Sequence, residues 1–382
     1  MTSEPTATLA PTAPEAATAP RPEPEPAAGR LAAERSLDAA ALAEWLAGCG
    51  FRLLALEALP GDVSSRHYYR LALAPGPAAA PGAGEPCGEI GFGSAAEVAG
   101  AAVDGTTVLA LYPPEMRPVC DRFLATTDLL AAAGVRVPRV LASDCARGWV
   151  LVEDLGPETL HEWAEGRSWA ELAPLYRGVL EPMRRIAGLP SERVAALSPP
   201  LDRELLEREL DKTWRTFLTP RRLGGPPATE RALATALGDL CAAIAAVPPV
   251  PCHRDLTPRN LVPVEGDALA MIDHQDLRLG PPLYDLAALL NDTLFPPPPL
   301  EEELLAAWGT GERERVDYHR VAAQRTLKAV GTYAGAAAAG NPRRLALLPP
   351  TLRRALDHLA AAPETRPLAA ELAGLWAPAI SG

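Results

Sequence analysis

The chain has 382 residues, 48% of them hydrophobic and 22% charged, and a formal net charge of −12. That is enough chain to bury one large core or two lobes, and the negative balance argues against nucleic acid or an anionic membrane as the main partner. Acidity of this size would also suit a cationic small molecule, but many proteins share it and it decides little.

Residues 1–30 are mostly Ala, Pro, Thr and Glu, with almost no large apolar side chain. Such a segment cannot bury enough surface to offset its ordering entropy, so it is expected to be disordered. It lacks the basic start and apolar core of a signal peptide. No apolar run reaches the length of a membrane span. The six cysteines (Cys49, Cys87, Cys120, Cys145, Cys241 and Cys252) show no CxxC pairing. They predict reduced thiols in a cytoplasmic protein, without a zinc site.

A small lobe is expected over residues 31–153. Ser36 reads as the N-cap of an amphipathic helix carrying Leu37, Leu42, Trp45 and Leu46. Residues 51–59 and 68–73 read as two strands joined by a turn at Pro60-Gly61-Asp62. Small residues there (Gly61, Ser64 and Ser65) would let backbone N–H groups approach phosphate oxygens, with Arg66 as a charge-assisted donor. Residues 74–105 form an insertion rich in Ala, Gly and Pro. Its Gly91–Ala96 stretch fits G-x-G-x-x-A, but no strand precedes it, so it reads as a loop. The third strand, residues 106–112, carries no Lys of the kind protein kinases use against α- and β-phosphates. A helix over 118–133 and strands over 137–141 and 149–152 complete a five-stranded lobe. Glu153-Asp154-Leu155-Gly156 then leads into a mostly helical lobe over 154–382, with helices expected at 157–165, 169–187, 201–218, 228–245, 283–292, 301–308, 314–335 and 350–361.

The chemistry concentrates in Cys252-His253-Arg254-Asp255-Leu256-Thr257-Pro258-Arg259-Asn260-Leu261, followed by Met271-Ile272-Asp273. This is the spacing by which kinase-like phosphotransferases place a base and two magnesium ligands around ATP. Asp255 suits a general base for an attacking hydroxyl. Asn260 and Asp273 offer the hard oxygens that magnesium takes. Residues 261–264 and 268–272 flank a Glu265-Gly266-Asp267 turn, so a hairpin would bring Asn260 and Asp273 together. His253 reads as a residue that fixes the loop, and Asp285 as a tie for the same loop from the next helix. His67, His161, His319 and His358 read as isolated. A Cys252–His253 nucleophile is disfavoured, because adjacent side chains rarely face each other.

Beyond Asp273 the chain runs His274-Gln275-Asp276, then Gly280-Pro281-Pro282-Leu283-Tyr284-Asp285-Leu286-Ala287. Together with HxDxxxxN this resembles the aminoglycoside phosphotransferase and choline kinase superfamily, and within it the bacterial anomeric amino-sugar kinases. Three further segments are similar to that group: residues 59–70 to its nucleotide loop, 150–156 to its hinge and 324–333 to its C-terminal QR-x-LK helix. The resemblance covers roughly residues 35–380. It implies a two-lobed protein-kinase-like α+β fold, a cytoplasmic monomer, and ATP and Mg2+ as cofactors. It also implies phosphorylation of N-acetylmuramate or N-acetylglucosamine at the C1 hydroxyl in cell-wall recycling. Glu153 would then belong to the nucleotide site, and Arg259, Gln275 and Asp276 would face the sugar, Arg259 within reach of a lactyl carboxylate. One departure bears on substrate: Thr216 and Phe217 stand where the group carries an acid and a Trp. A kinase of an aminoglycoside or another small-molecule hydroxyl, or a nucleotide-binding pseudokinase lacking turnover, are the alternatives.

Overall fold

In a computed structural model, residues 37–59, 66–76, 105–266 and 268–381 are described. Gly61, Ser64 and Ser65, the N-terminal tail and most of the insertion lie outside them. The first helix, α1 (Ala39–Gly48), starts at Asp38, whose Oδ1 accepts from the Ala40 and Ala41 amides at 3.0 Å. Asp38 thus supplies the capping oxygen expected of Ser36. Next come β1 (Phe51–Ala58), β2 (His67–Pro75), β3 (Thr106–Leu111), α2 (Arg117–Ala132), β4 (Val140–Asp144) and β5 (Trp149–Glu153). They build one sheet in the order β1-β2-β3-β5-β4, antiparallel throughout.

The two-residue period of a strand decides which helix covers which face. On β5, Trp149 and Leu151 join Leu42, Leu46, Leu71 and Leu109 in a core under α1. Val150 and Val152 face the other way and join Phe123 and Tyr112 under α2. β4 begins three residues later than the sequence suggests, because Pro138 has no N–H to give to the ladder. The expectation of six reduced thiols is corrected for one pair: Cys120 of α2 and Cys145 after β4 form a disulfide with a Cα separation of 5.8 Å. These residues lie 25 positions apart and meet only because α2 packs beside the β4–β5 turn.

The second lobe holds α3 (Leu160–Trp163), α4 (Trp169–Gly178), α5 (Leu180–Ala187), α6 (Ser191–Leu197), α7 (Arg203–Thr213) and α8 (Pro227–Ala245). It continues with β6 (Val250–Cys252), β7 (Leu261–Val264), β8 (Ala268–Met271), β9 (Arg278–Gly280), α9 (Tyr284–Leu290), α10 (Pro298–Trp308), α11 (Glu312–Ala338), α12 (Leu348–Ala361) and α13 (Ala369–Ser381). The single helix expected over 169–187 is split at Val179, where Pro182 offers no N–H to the Gly178 carbonyl. α7 runs on into a π-turn, Trp214–Leu218.

Buried Tyr176, Phe217, Tyr284, Tyr318 and Trp376 anchor the core of this lobe. α11 runs through it and lies very close to α7. A Cβ on Gly331 would meet Thr213 Oγ1 at 2.4 Å, and the Thr213 hydroxyl donates to the Leu327 carbonyl at 2.7 Å. Thr216 donates to the Gly331 carbonyl at 2.9 Å, and Phe217 is fully buried. The Thr216-Phe217 pair that departs from the amino-sugar kinases therefore packs α7 onto α11. No helix among the described residues is long and apolar enough to cross a membrane.

Candidate active site

The loop between β6 and β7 is pinned from below by Asp285. Its Oδ2 accepts from the His253 amide at 2.7 Å and its Oδ1 from the Arg254 amide at 2.9 Å. His253 Nε2 lies 3.1 Å from the Ile272 carbonyl, joining this loop to the end of β8. Two non-glycine residues adopt left-handed backbone here, Arg254 (φ 79°) and Asp273 (φ 61°). Such residues cost on the order of 1–3 kcal/mol each and persist where surrounding contacts over-determine them. Arg254 immediately precedes Asp255, and Asp273 is itself one of the carboxylates assigned to chemistry.

Asp255, Asn260 and Asp273 converge on one cavity of about 200 Å³, together with Thr257, Arg259 and Asp292. Arg325, Lys328, Tyr333 and Arg344 line it as well. The hairpin of β7 and β8 pairs Leu261 with Met271, and the Ile272 amide donates to the Asn260 carbonyl at 2.9 Å. Asn260 Nδ2 donates to the Asp255 carbonyl at 2.7 Å, which leaves its Oδ1 for another partner. With the Asp273 carboxylate this makes a pair of hard oxygens on one cavity, a donor set that fits a magnesium ion completed by phosphate oxygens and water.

Three cations surround the Asp255 carboxylate without closing a hydrogen bond. Arg325 lies at 3.6 Å, Lys328 at 3.7 Å and Arg254 at 3.7 Å. Burial alone would raise its pKa, but Lys328, Arg254 and Arg325 overcome that and hold it well below the usual carboxylate range. Behind them sits Glu209 on α7, within 2.9 Å of Arg254 and 3.0 Å of Lys328. Burial pushes its carboxyl up, and these two cations bring it down to about 2.

Several residues assigned to substrate or nucleotide from the sequence point elsewhere. Asp276 pairs with Arg254 at 2.6 Å and Arg278 at 3.2 Å, outside the cavity. Gln275 is buried, donates to Asp273 at 2.9 Å and accepts from Arg66 at 3.0 Å. Arg66 also pairs with the Asp273 carboxylate and stands over the Tyr68 and Tyr112 rings. Arg66 is thus brought to the Asp273 carboxylate that lines the cavity. Glu153 lies at the hinge, but its carboxylate accepts twice from Arg136, at 2.6 and 2.9 Å. Arg259 does line the cavity, paired with Asp292 at 3.0 Å.

Glu209, Asp292, Arg325, Lys328 and Arg344 have no role in the sequence reading. One signal was available: Arg325 and Lys328 are three apart, on one face of a long helix. His319 and His358, read as isolated, lie 3.0 Å apart, and His358 Nε2 is 2.8 Å from Asn291 on the cavity wall.

Residues 96–324 match the model of the APH phosphotransferase enzyme family. The chain is 31% identical over 290 residues to an N-acetylmuramate/N-acetylglucosamine kinase of Pseudomonas aeruginosa, covering 72% of this chain and 82% of that protein. It is 26% identical over 353 residues to a Caulobacter vibrioides protein of the same name, covering 84% and 91%. Among solved structures, the GDP complex of aminoglycoside 2'-phosphotransferase-IIIa superposes with a TM-score of 0.54 at 12% identity, covering 80% of this chain and 92% of that one. A choline/ethanolamine kinase family protein from Mesorhizobium loti gives 0.51 at 18% identity, covering 84% and 92%. The two-lobed architecture is therefore that of the protein-kinase-like phosphotransferases.

Proposed function

The chain belongs to the phosphotransferase enzyme family, and from that premise we propose that it transfers the γ-phosphoryl group of ATP to the anomeric hydroxyl of an N-acetylated amino sugar. The observation that carries this reading is the convergence of Asp255, Asn260 and Asp273 on one cavity that is also lined by cations. Arg259, Arg325, Lys328 and Arg344 line that cavity against Asp255, Asp273 and Asp292. With four cations against three carboxylates the lining has one excess positive charge, which favours a neutral or carboxylated sugar over a polycationic aminoglycoside or choline. The relatives named above carry the names of kinases for such a pair of sugars.

The electrostatics of Asp255 also select the acceptor. A carboxylate ringed by three cations is a weak base, and its main contribution is to orient the hydroxyl and accept the proton late. An anomeric hydroxyl suits it, because the ring oxygen withdraws electron density and makes that hydroxyl more acidic than an ordinary alcohol. Asn260 and Asp273 would hold a magnesium ion, which when bound neutralises phosphate charge. Arg66 would meet the nucleotide phosphates from the small lobe, and Arg259 would approach the lactyl carboxylate of N-acetylmuramate. The cellular setting we infer is the recycling of cell-wall sugars in the cytoplasm.

A coupled ADP-release assay over N-acetylmuramate, N-acetylglucosamine, kanamycin and choline tests this reading. Turnover with the two sugars and none with the cationic acceptors is expected. Turnover confined to kanamycin or choline would overturn the acceptor, and ATP binding without turnover on any hydroxyl would mark a pseudokinase.

A further inference from the structure

Strand β3 (Thr106–Leu111) is well ordered in the sheet and presents no Lys, so the cation that offsets charge on the moving phosphoryl group must come from elsewhere. We propose that Lys328 of α11 is that catalytic cation, donating to a non-bridging oxygen of the γ-phosphoryl group as it passes from ATP to the acceptor. The proposal rests on the placement of the transfer at Asp255 argued above.

Three observations single Lys328 out from the other cations of the cavity. First, its ammonium carries three N–H donors. Its partners are Glu209 at 3.0 Å and Asp255 at 3.7 Å, and only the first is within hydrogen-bond distance. Donors therefore remain on the side that lines the cavity with Asp255, Asn260 and Asp273. Second, three neighbouring cations already serve structural contacts. Arg325 donates to the Arg254 carbonyl at 2.6 Å and lies over the Tyr284 ring at 4.7 Å, which fastens the catalytic loop to α11. Arg259 is paired with Asp292, and Arg254 with Glu209 and Asp276. Third, Lys328 is held in place by a built site. The Glu209 side chain is only 8% exposed and also accepts from Gln324 Nε2 at 3.1 Å, one turn before Lys328 on the same helix. The contact of Gly331 with Thr213 brings α11 close enough to α7 for Glu209 to reach it.

Burial would discharge an isolated ammonium, but Tyr284, Asp255 and Glu209 outweigh it and raise the Lys328 pKa, so the group is a fixed cation and not a proton carrier. In the transfer, the acceptor oxygen forms a bond to the γ-phosphorus as the bond to the β,γ-bridging oxygen breaks. The electron pair leaves with ADP, and the hydroxyl proton passes to Asp255. As that carboxylate is neutralised, its attraction for Lys328 falls, and the ammonium is left to the phosphoryl oxygens. A preorganised donor of this kind is stronger in the transition state than in the ground state.

The test compares K328M and K328R with wild type, using ATP and ATPγS. Replacement by Met is expected to lower kcat about 10²–10³-fold, with KM for both substrates little changed, and Arg is expected to restore part of the loss. A lysine contacting a γ-oxygen also sets the preference for oxygen over sulfur there, so the ATP to ATPγS rate ratio should fall in K328M and shift in K328R. Wild-type kcat in K328M, or a lower kcat with an unchanged ratio, would overturn the proposal and leave a structural ion pair. Should K328M fail to fold, the ratio in K328R decides. The ratios are measured on whichever hydroxyl the wild type phosphorylates, so an acceptor other than an amino sugar would sink the acceptor assignment alone.

Discussion

The hinge and the catalytic loop both set arginines against carboxylates, in opposite ways. At the hinge the groups are matched. Arg136 donates twice to Glu153, at 2.6 and 2.9 Å, and Arg70 twice to Asp154, at 2.6 and 3.2 Å. The Arg136 carbonyl also accepts from the Met271 amide at 2.8 Å, so the pair ties β5 to the hairpin that ends at Asp273. Bidentate pairs of this sort fix geometry. At Asp255 no cation comes closer than 3.6 Å. There the charges set the ionisation of the carboxylate while its lone pairs stay available to a hydroxyl. Matched pairs hold the frame, and the loose cluster is left for a ligand.

Breaking the loose cluster should hurt turnover most. Asp255→Asn keeps the shape of the loop and removes the proposed proton acceptor, so kcat is expected to fall by roughly 10²–10⁴-fold with nucleotide affinity little changed. Steady-state kinetics alongside nucleotide titration checks this, and wild-type kcat would remove the assigned role. Asp273→Ala takes away one of the two proposed metal ligands. Magnesium-dependent nucleotide affinity should drop by at least about 10–100-fold, the size of effect that lesser changes around metal ligands already produce. Calorimetric titrations with and without magnesium would show it, and matching wild-type curves would refute the metal assignment.

Breaking a matched pair should instead affect stability. Glu153→Gln leaves Arg136 without its charged partner and is expected to cost about 1–3 kcal/mol in chemical denaturation, with kcat per folded molecule nearly unchanged. A large fall in kcat without a change in stability would put Glu153 in the nucleotide site after all.

The smallest effect concerns His274, next to Asp273. It stacks on Phe123 and lies 2.7 Å from the Thr127 hydroxyl, and burial holds its pKa down at about 3 from an ordinary 6.5. The unfolded chain takes up a proton below about 6.5 and the folded one does not. Stability from this group is therefore complete above that pH and is lost progressively as the pH falls towards 3. Denaturation midpoints should decline between pH 7 and 5, and His274→Gln should flatten the decline. An unchanged slope would show that other groups, such as buried His358, carry it.

How much of this was legible in the sequence follows from distance along the chain. Asp255, Asn260 and Asp273 could be read together because one hairpin brings them into register, and hairpin chemistry is local. The five strands were legible because Leu109, Leu151 and their neighbours alternate by two. Lys328 stood in the QR-x-LK segment without a role, and Glu209 was not legible, since α11 and α7 reach the loop only through packing around Gly331 and Thr213. β6 and β9 are three residues each, too short for a period to register. Gln275 and Asp276 were read as facing a sugar from their place in the motif. The arginines that engage them, Arg66, Arg254 and Arg278, come from three different segments.

Phosphorus NMR of the product formed from N-acetylmuramate or N-acetylglucosamine tests the central claim most directly. Transfer to the anomeric hydroxyl predicts a sugar 1-phosphate signal split into a doublet by the anomeric proton. A phosphate on any other carbon, or no sugar phosphate while an aminoglycoside is phosphorylated, would contradict it.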